Sequence, residues 1–450
     1  MSLFGTSGVR GVVGEEITEG LCYDVGRALG TVLPQGSRVC LATDTRVSRD
    51  MLRETVSRGL LDCGASVTDL GILPTPVLAL LAREWGFDTG VMITASHNPP
   101  EFNGIKLFNG NSFGYSQQQE SEVERVFNLK SFRAGGSGVL AQGSGMLEGY
   151  LRFVRRRLPQ HTLSRDLKVM VDPGNGAASG FVTRLFTELG LRVLSVNDTP
   201  DGTFPGRKPE PTGETLVDTV RFLRDQGADL AVCFDGDADR VVFCDKDGFW
   251  GFNEPTAYIS RLAAIETGKR TVASTVESGR LLELSVQDLG VEVVRGKVGD
   301  VHLAYLTQET DSAIGTEQVG VYIMPEIGYY PDSICASLFL LSHIGQAAEV
   351  RQFFKQIPQL FFHKAKVECR NELKDSVIQE FAGRVDRLEP LRVSDFDGVR
   401  LEFEDSWTLV RASGTEPVIR VIAESTSAQR AQDLMDAGVQ AVRGIVDKRV

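Results

Sequence analysis

A serine in a polar turn is the first residue of this chain whose surroundings suggest chemistry. Ser96 lies in segment 94–100 (TASHNPP), directly after the apolar run 90–93. The two prolines forbid an immediate helix, so the hydroxyl is expected on a sharp turn at the end of a strand. With His97 beside it and Lys106 further along, Ser96 is a candidate nucleophile or phosphate carrier. An unreactive, hydrogen-bonded turn is the competing interpretation.

Three aspartates at alternate positions can converge on one hard cation. Asp235, Asp237 and Asp239 follow the apolar, strand-like run 230–234. Oxygen ligands alone suit Mg²⁺ or Ca²⁺ rather than Zn²⁺, and three unpaired acids would repel one another. An EF-hand fits poorly, because Arg240 and Lys246 stand where that loop needs Gly and Glu. The partner residues of a haloacid-dehalogenase phosphatase are not found, and a polar turn between hairpin strands stays open as the alternative.

Three more segments suit an anionic or sugar ligand. Loop 411–417 (RASGTEP) offers hydroxyl and backbone N–H donors, and Arg411 and Arg420 add forked donors for a phosphate. Segment 4–11 (FGTSGVRG) combines glycines that allow close backbone approach with Arg10, although its spacing is not that of a dinucleotide-binding fingerprint. Segment 314–322 (IGTEQVGVY) either binds sugar hydroxyls through its Glu-Gln pair or forms a plain hairpin turn.

Strand-like runs alternate with helical patterns, which is typical of βαβ units and a mostly parallel sheet. The first cycle predicts strands at 38–42, 65–70 and 91–94, with the loop Asp44-Thr45-Arg46 and a helix from Ser48 after the first of them. Two further cycles predict strands at 167–172, 192–196, 229–234, 271–275 and 291–294, with a helix ending near Leu189. The last stretch predicts antiparallel strands 399–403, 407–411 and 418–424 and a closing helix 428–446. Glycine-rich segments at 135–138 and 142–145 mark a boundary or an exposed hairpin.

Length and composition limit the possible classes of protein. A chain of 450 residues with 42% hydrophobic and 24% charged residues predicts a globular protein of two to four domains. A net charge of −12 disfavours nucleic acid and anionic membranes as partners. The seven scattered cysteines favour a reducing compartment. Since neither a signal peptide nor an apolar run of membrane-spanning length is visible, we expect a cytoplasmic protein.

Together these segments resemble the α-D-phosphohexomutases, the family of phosphoglucomutase, phosphomannomutase and phosphoglucosamine mutase. Segment 94–106 is similar to the family's phosphoserine loop, 235–240 to its metal loop, 317–320 to its sugar loop and 411–420 to its phosphate-binding loop, in the same order, and 4–11 adds a fifth match. The resemblance implies an α/β protein of four domains, with three similar mixed α/β domains and a C-terminal α+β domain around a central cleft. The expected bounds are 1–148, 149–249, 250–362 and 363–450.

The resemblance also implies a role for each candidate residue. Ser96 would carry the phosphate, with Arg10, His97 and Lys106 as catalytic neighbours. Mg²⁺ would be held by the seryl phosphate on Ser96 and by Asp235, Asp237 and Asp239. The residues expected to bind the substrate are Arg240, Lys297, Glu317, Gln318 and Gly320. The residues expected to grip the phosphate that does not react are Arg411, Ser413, Gly414, Thr415 and Arg420.

The implied activity is the interconversion of a hexose 6-phosphate and a hexose 1-phosphate, through a hexose 1,6-bisphosphate that also acts as activator. The expected partner is therefore a small phosphosugar, and the expected assembly a monomer or homodimer. The motifs are more similar to the phosphoglucosamine mutase branch than to phosphomannomutase/phosphoglucomutase, which is the alternative. Val319 and Val321 stand where the family's sugar loop usually has serine and histidine. A catalytically weak phosphosugar-binding protein and a Mg²⁺-dependent phosphatase are therefore competing hypotheses.

Overall fold

A computed structural model of the protein describes residues 3–5, 8–157, 163–164, 166–385, 389–414 and 416–449. Within these ranges the strands form four sheets, each built from one successive stretch of the chain. The first three sheets are mixed and flanked by helices, and the fourth is antiparallel. The predicted architecture of three α/β units and a final α+β unit is therefore confirmed.

The first unit is built around a six-stranded sheet. Its elements are β1 Val9–Val12, α1 Glu19–Val32, β2 Arg38–Thr43, α2 Arg49–Asp62, β3 Ser66–Ile72, α3 Thr75–Glu84, β4 Thr89–Ile93, β5 Phe102–Asn109, α4 Gln117–Leu129 and β6 Leu140–Gln142. The strand order is β1-β5-β4-β2-β3-β6. Strands β4, β2, β3 and β6 run parallel to one another. At one edge of the sheet β5 runs antiparallel to β4, and β1 runs antiparallel to β5. The parallel strands place the ends of β2 and β4 at the same edge of the sheet.

The second and third units repeat this arrangement with fewer strands. The second contains α5 Met146–Arg157, β7 Lys168–Asp172, α6 Phe181–Glu188, β8 Arg192–Ser195, α7 Val217–Gln226, β9 Leu230–Phe234, β10 Val241–Asp245 and β11 Gly248–Phe249, in the sheet order β11-β10-β9-β7-β8. The third contains α8 Asn253–Thr267, β12 Thr271–Thr275, α9 Leu281–Val286, β13 Glu292–Gly296, α10 Asp300–Glu309, β14 Gly315–Glu317, β15 Val321–Ile323, α11 Ser333–His343 and α12 Ala347–Gln356, in the sheet order β13-β12-β14-β15.

The fourth unit is a five-stranded antiparallel sheet covered by helices. Its elements are β16 Phe361–Glu368, α13 Lys374–Ala382, β17 Arg392–Ser394, β18 Val399–Glu402, β19 Ser406–Ala412, β20 Val418–Ser425 and α14 Ala428–Val446, in the sheet order β16-β20-β19-β18-β17. The apolar alternation in these strands predicted the three central ones and the closing helix. Strand β16 was not predicted from the sequence.

The glycine-rich interval after α4 does not form a hairpin. Residues 140–142 form β6, which pairs in parallel with β3 and so extends the first sheet. Gly136 and Gly138 lie so close to the main chain of Gly64 and Ala65 that a Cβ on either glycine would stand at most 2.0 Å from it. The absence of side chains is therefore what lets the segment run along the sheet. Of the two alternatives, the exposed hairpin is wrong, whereas the interval does lie at the boundary between the first unit and α5 of the second.

Two of the expected domain bounds fall inside continuous elements. Position 148 lies within α5, and position 362 lies within β16, where Phe361 and Phe362 already pair with Ser425 and Glu424 of the fourth sheet. Because a strand and its paired neighbour share one sheet, the fourth unit begins at the start of β16. The bound at 249 coincides with the end of β11.

Within the described ranges, no single helix has both the length and the apolar character needed to cross a membrane. The bent pair α11 and α12, with an angle of 89° between them, passes the same test of length and composition when taken together.

Two helices of the first unit pack against each other through glycine. A Cβ on Gly26 of α1 would lie 2.4 Å from the carbonyl oxygen of Val56 in α2. We expect Gly26→Ala to lower the free energy of unfolding by about 1–3 kcal/mol, because the helices must separate. Gly20→Ala in the same helix is the control, since no atom lies within 4 Å of its Cβ and alanine is favoured in helices by up to about 1 kcal/mol. Urea unfolding of both variants checks the prediction, and equal midpoints would contradict it.

Candidate active site

One cavity of about 280 Å³ collects loops from all four units. Its lining residues are Arg10, Ser96, His97, Asn98, Lys106, Asp239, Arg240, Val298, Gly299, Asp300, Glu317, Val321, Pro331, Arg411, Ser413, Gly414 and Arg420. Residues from positions 10 to 420 of the chain therefore meet at one place. Most of the residues that the sequence singled out lie in this wall.

Ser96 occupies the predicted turn, between the end of β4 and the start of β5. Its backbone is left-handed, with φ of 50°, a conformation that costs free energy for any residue other than glycine. The backbone N–H of Ser96 donates to Thr94 Oγ1 at 2.8 Å, and its hydroxyl donates to Asp235 Oδ2 at 2.7 Å. The side chain is 2% exposed. The loop thus aims one buried hydroxyl at the first aspartate of the acidic triad.

The acidic triad occupies the loop of a β-hairpin formed by β9 and β10. The backbone of this segment is therefore the hairpin turn that the alternative predicted. The cation-binding interpretation depends on the aspartate side chains of the same turn. Carboxylate oxygens of Asp235, Asp237 and Asp239 lie within 4.8 Å of one another, and all three residues are buried. Asp237 Oδ1 is buried and has no hydrogen-bond partner among the described residues. Oxygen donors at this spacing, one of them unsatisfied, fit a hard divalent cation.

Lys106 supplies charge compensation from the neighbouring unit. Its ammonium group donates to Asp237 Oδ2 at 2.9 Å and to Asp239 Oδ2 at 2.7 Å. Burial opposes the charge on Lys106, but the two carboxylates outweigh it and raise the pKa of the lysine. Burial likewise opposes the charge on Asp239, yet Lys106 and Arg240 hold the pKa of Asp239 below its usual range. Burial and the other two aspartates raise the pKa of Asp235 well above its usual range.

The metal loop is fixed by the beginnings of two helices in other units. Thr75, the first residue of α3, donates its backbone N–H to the carbonyl of Asp237 and its hydroxyl to Asp237 Oδ2 at 2.7 Å. The hydroxyl of Ser333, the first residue of α11, donates to the carbonyl of Ala238. Gly236 touches the serine loop, since a Cβ there would lie 2.5 Å from the carbonyl oxygen of Ser96. The serine and metal loops are therefore in van der Waals contact.

Arg10 and His97 flank the serine with different charge states. Arg10 lies on β1, and its guanidinium donates to Asn98 Oδ1 at 2.8 Å. Burial, reinforced by Arg240 and Arg10, lowers the pKa of His97 to about 2. The imidazole is therefore neutral near pH 7, and its Nδ1 lies 3.4 Å from Ser96 Oγ. Arg10 contributes positive charge to the cavity, whereas His97 contributes hydrogen-bonding capacity.

The sugar-loop residues separate into one that lines the cavity and two that support it. Glu317 lines the cavity and accepts a hydrogen bond from the Gly299 N–H at 2.9 Å. Gln318 Oε1 accepts from the Gly279 N–H at 2.8 Å and so holds a neighbouring loop. Gly320 has φ of 85°, and its Cα lies against the Val241 carbonyl at the start of β10. The loop is a real hairpin between β14 and β15 as well as part of the site.

The two valines of this loop occupy different environments. Val319 is 38% exposed and does not line the cavity, whereas Val321 is 3% exposed and forms part of its wall. Val321 packs in a core cluster with Phe113 and Leu303. Val321, which stands where the family's sugar loop usually has histidine, therefore places an apolar surface in the cavity wall.

Lys297 is not in this cavity. It lines a separate cavity of about 320 Å³, together with Glu120 and His302. Its neighbours Val298 and Gly299 do line the active-site cavity. The segment therefore reaches the site, but the lysine side chain points to the other side of it.

The phosphate loop and its flanking strands place two arginines in the wall of the cavity. Arg411 on β19 and Arg420 on β20 are directly opposite each other in the sheet. Arg411 donates to Asp397 Oδ1 at 2.9 Å and to Glu277 Oε1 at 3.0 Å, and Arg420 donates to Glu416 Oε2 at 3.0 Å. Ser413 and Gly414 line the cavity beside them, whereas Thr415 lies outside the described residues. Each arginine already has a carboxylate partner, with which an incoming phosphate would compete.

Sequence reasoning missed a tyrosine that contacts the metal loop and an aspartate in the cavity wall. Tyr330 donates its hydroxyl to Asp239 Oδ2 at 3.0 Å and accepts from Lys106 Nζ at 3.2 Å. Asp300, the first residue of α10, lines the cavity near Glu317. Tyr330 stands in a loop without any local signal, and Asp300 looks like an ordinary acidic residue at a helix start. Their significance depends on which units face each other.

Comparison with known proteins agrees with this geometry. Family profiles described as "Phosphoglucomutase/phosphomannomutase" match the chain in order: alpha/beta/alpha domain I at residues 1–134, domain II at 148–248, domain III at 256–361 and the C-terminal domain at 365–441. A protein of Methanopyrus kandleri named probable phosphoglucosamine mutase is 39% identical, over 99% of this chain and 98% of its own length.

Two further proteins extend the comparison. A protein of Thermococcus kodakarensis named phosphoglucomutase/phosphomannomutase is 34% identical, over 97% of this chain and 98% of its own length. A crystal structure of a phosphoglucomutase/phosphomannomutase family protein from Burkholderia thailandensis superposes with a TM-score of 0.87 at 26% identity, covering 98% of this chain and 97% of that one. The resemblance indicated by the motifs is confirmed, and this chain belongs to the phosphoglucomutase/phosphomannomutase family of phosphohexomutases.

Proposed function

We propose that this isomerase is a phosphoglucosamine mutase, which interconverts glucosamine 6-phosphate and glucosamine 1-phosphate. The observation that carries the proposal is the pairing of Ser96 with Asp235 at 2.7 Å beside a cavity that is lined by Ser96 and also by Arg411 and Arg420. A candidate nucleophile next to a cation site, with a separate anion site in the same cavity, matches a substrate that has one reacting and one anchored phosphate. The name of the Methanopyrus relative supports the choice of sugar.

In the proposed reaction Ser96 carries a phosphate. The P–O bond to Ser96 breaks as a bond forms between phosphorus and a hydroxyl oxygen of the bound sugar phosphate, and the hydroxyl proton ends on the departing Ser96 oxygen, which restores the serine hydroxyl. The resulting hexose 1,6-bisphosphate turns over in the cavity, and its other phosphate returns to Ser96. Lys106 and Arg10 lie where they neutralise charge that develops on the transferring group.

The acidic triad fits Mg²⁺, which would be held by Asp235, Asp237 and Asp239. When bound, the ion supplies positive charge to the phosphoryl oxygens. The protein's own part is to keep the three carboxylates converging, since mutual repulsion and burial both oppose this arrangement. Lys106 and Tyr330 perform that task for Asp239.

The choice of an amino sugar rests on two acidic residues in the cavity wall. Glu317 and Asp300 both line the cavity, and Asp300 lies close enough for its charge to contribute to the raised pKa of Glu317. A sugar ammonium group placed between two carboxylates would relieve their repulsion. Glucose and mannose phosphates carry a hydroxyl in place of this ammonium group, so the same wall favours glucosamine phosphate over both of them.

Replacement of Ser96 tests the proposed function directly. We expect Ser96→Ala to lower kcat by at least about a thousandfold, because the phosphate carrier is removed. The assay follows glucosamine 6-phosphate and 1-phosphate with Mg²⁺ and hexose 1,6-bisphosphate, and glucose and mannose 6-phosphates serve as competitors. Exposed Ser137→Ala is the control. Full activity of Ser96→Ala would exclude the proposal. In the wild type, release of free phosphate without isomer would indicate a phosphatase, and binding without turnover a binding protein.

The cation site has a test that does not depend on turnover. We expect Asp237→Asn to weaken Mn²⁺ binding, measured by titration in the absence of substrate, by about tenfold or more, since one buried charged ligand is lost. Asp247→Asn, which changes an exposed aspartate in the turn between β10 and β11, should bind Mn²⁺ like the wild type. Removal of divalent cations should abolish isomerisation, and Mg²⁺ should restore it. Unchanged Mn²⁺ affinity in Asp237→Asn would contradict the assignment.

The part of the cavity wall formed by Glu317 and Asp300, called the sugar wall below, predicts a pH dependence. Burial, with a contribution from Asp300, raises the pKa of Glu317 to about 7, so this side chain is neutral below that pH and negative above it. We therefore expect kcat/KM for glucosamine 6-phosphate to rise with pH over the range of about 6 to 8 as the carboxylate forms. The ratio of kcat/KM between wild type and Glu317→Gln should rise over the same range, because the titration of the substrate itself is common to both. A ratio independent of pH would contradict this role.

A further inference from the structure

We infer that two buried arginines outside the cavity, Arg46 and Arg207, position the serine loop and the metal loop for phosphoryl transfer. The inference rests on the proposed function and concerns residues that do not line the cavity. Each arginine ties the main chain of one reactive loop to a buried aspartate at the end of the adjacent parallel strand. The two are positioning residues, since they act through the loops they hold.

Arg46 uses every N–H donor of its guanidinium group. Its Nε donates to Asp44 Oδ2 at 3.0 Å, and the remaining donors bind main-chain carbonyls of the serine loop. These carbonyls belong to Ser96, Asn98, Pro99 and Phe102. The Arg46 side chain is fully buried. One planar cation therefore fixes the loop from Ser96 itself to the start of β5.

A second contact joins the same aspartate to the serine. Thr94 Oγ1 donates to Asp44 Oδ2 at 2.7 Å and accepts from the Ser96 N–H at 2.8 Å. The amide and the carbonyl of Ser96 are thus both held by groups bound to Asp44. This matters because the left-handed backbone of Ser96 persists only where the surroundings outweigh its strain.

Arg207 holds the metal loop in a corresponding way. Its Nε donates to Asp172 Oδ2 at 3.0 Å, and its Nη2 donates to the carbonyl oxygen of Phe234 at 2.6 Å. Phe234 is the last residue of β9 and directly precedes Asp235. The guanidinium lies against Gly174, where a Cβ would come within 2.7 Å of its central carbon. Asp172 and Arg207 together form what we call a clamp, as do Asp44 and Arg46. The clamp of Arg207 reaches the residue directly before Asp235, the first predicted metal ligand.

Both clamps follow one plan in successive units. Asp44 directly follows β2, and the serine loop follows β4, the parallel neighbour of β2. Asp172 ends β7, and the metal loop follows β9, the parallel neighbour of β7. Parallel strands bring their carboxyl ends to one edge, so a short aspartate can orient an arginine across that edge.

The clamped parts also touch each other. The Arg46 guanidinium lies 5.3 Å from the ring centre of Phe204, in the second unit. A Cβ on Gly202 would lie 2.3 Å from the carbonyl of Thr45, the residue before Arg46. The two clamps therefore set the position of the serine hydroxyl relative to the aspartates as well as the shape of each loop.

Lysine substitutions separate positioning from charge. Arg46→Lys and Arg207→Lys keep the buried cation, but a single ammonium group cannot reach the same set of acceptors. We expect kcat to fall by about 100-fold in each variant, as for a displacement of reacting groups by about 1 Å. KM should stay within about threefold of the wild-type value, because the phosphate-binding arginines and the sugar wall are unchanged.

Arg133→Lys is the matched control. Arg133 also binds main-chain carbonyls of the first unit, those of Thr31, Leu33 and Cys63, but it does not line the cavity. We expect this variant to lose unfolding stability like the other two and to keep kcat. If Arg46→Lys and Arg207→Lys keep a kcat within about threefold of Arg133→Lys, their role is structural and the inference is wrong. A wild type without any isomerase activity would instead refute the proposed function.

Mn²⁺ affinity gives a readout independent of turnover. Arg207→Lys should weaken Mn²⁺ binding by about tenfold, since it loosens the loop that carries the ligands, whereas Arg46→Lys and Arg133→Lys should not. If Arg207→Lys fails to fold, Thr219→Val replaces it, and Thr94→Val, which removes the link between Asp44 and the Ser96 N–H, replaces Arg46→Lys. Thr219 on α7 touches the clamp through Asp172 Oδ2 at 2.6 Å, and its loss should lower kcat about fivefold. An unchanged kcat and unchanged Mn²⁺ affinity in Thr219→Val and Arg207→Lys would overturn the inference.

Discussion

Charge compensation around three buried aspartates is the constraint on which the site depends. Asp235, Asp237 and Asp239 converge in one hairpin loop, where all three are buried and only Asp239 reaches the cavity wall. Burial of one unpaired carboxylate is already costly, and mutual repulsion adds to that cost. The loop is stable because opposite charge and hydrogen-bond donors reach it from other parts of the fold. Lys106 comes from the first unit, and the Tyr330 hydroxyl from the third.

The same requirement explains why three units meet at this loop. Helices α3 and α11 both begin at it, so their N-terminal donors and partial positive charge favour the acidic loop. The serine loop completes the arrangement by placing the Ser96 hydroxyl against Asp235. A loop that needs donors from several directions holds several units in one geometry. The catalytic arrangement and the packing of the first three units are therefore aspects of the same set of contacts.

The fourth unit is attached by a different kind of contact. Arg411 joins it to the third unit through Glu277, and Arg400 donates to the carbonyls of Val276 and Ser278 while stacking on Trp407. Arg411 is thus both a link between units and a predicted phosphate ligand. A phosphate that binds there competes with Glu277, so substrate binding and the attachment of the fourth unit are coupled through one guanidinium group.

Residue types and local spacing alone were enough to predict the family and the succession of units, and they singled out the candidate reactive groups. Ser96, the aspartate triad and the arginine loop were identifiable because each chemical function depends on residues adjacent in the chain. The tertiary structure decided which of them face one cavity. It placed Lys297 in the wall of a separate cavity, Tyr330 against Asp239 and Asp300 in the active-site wall, and it made supports of Gln318 and Gly320. These outcomes depend on how separate units pack, and no local pattern in the sequence records that packing.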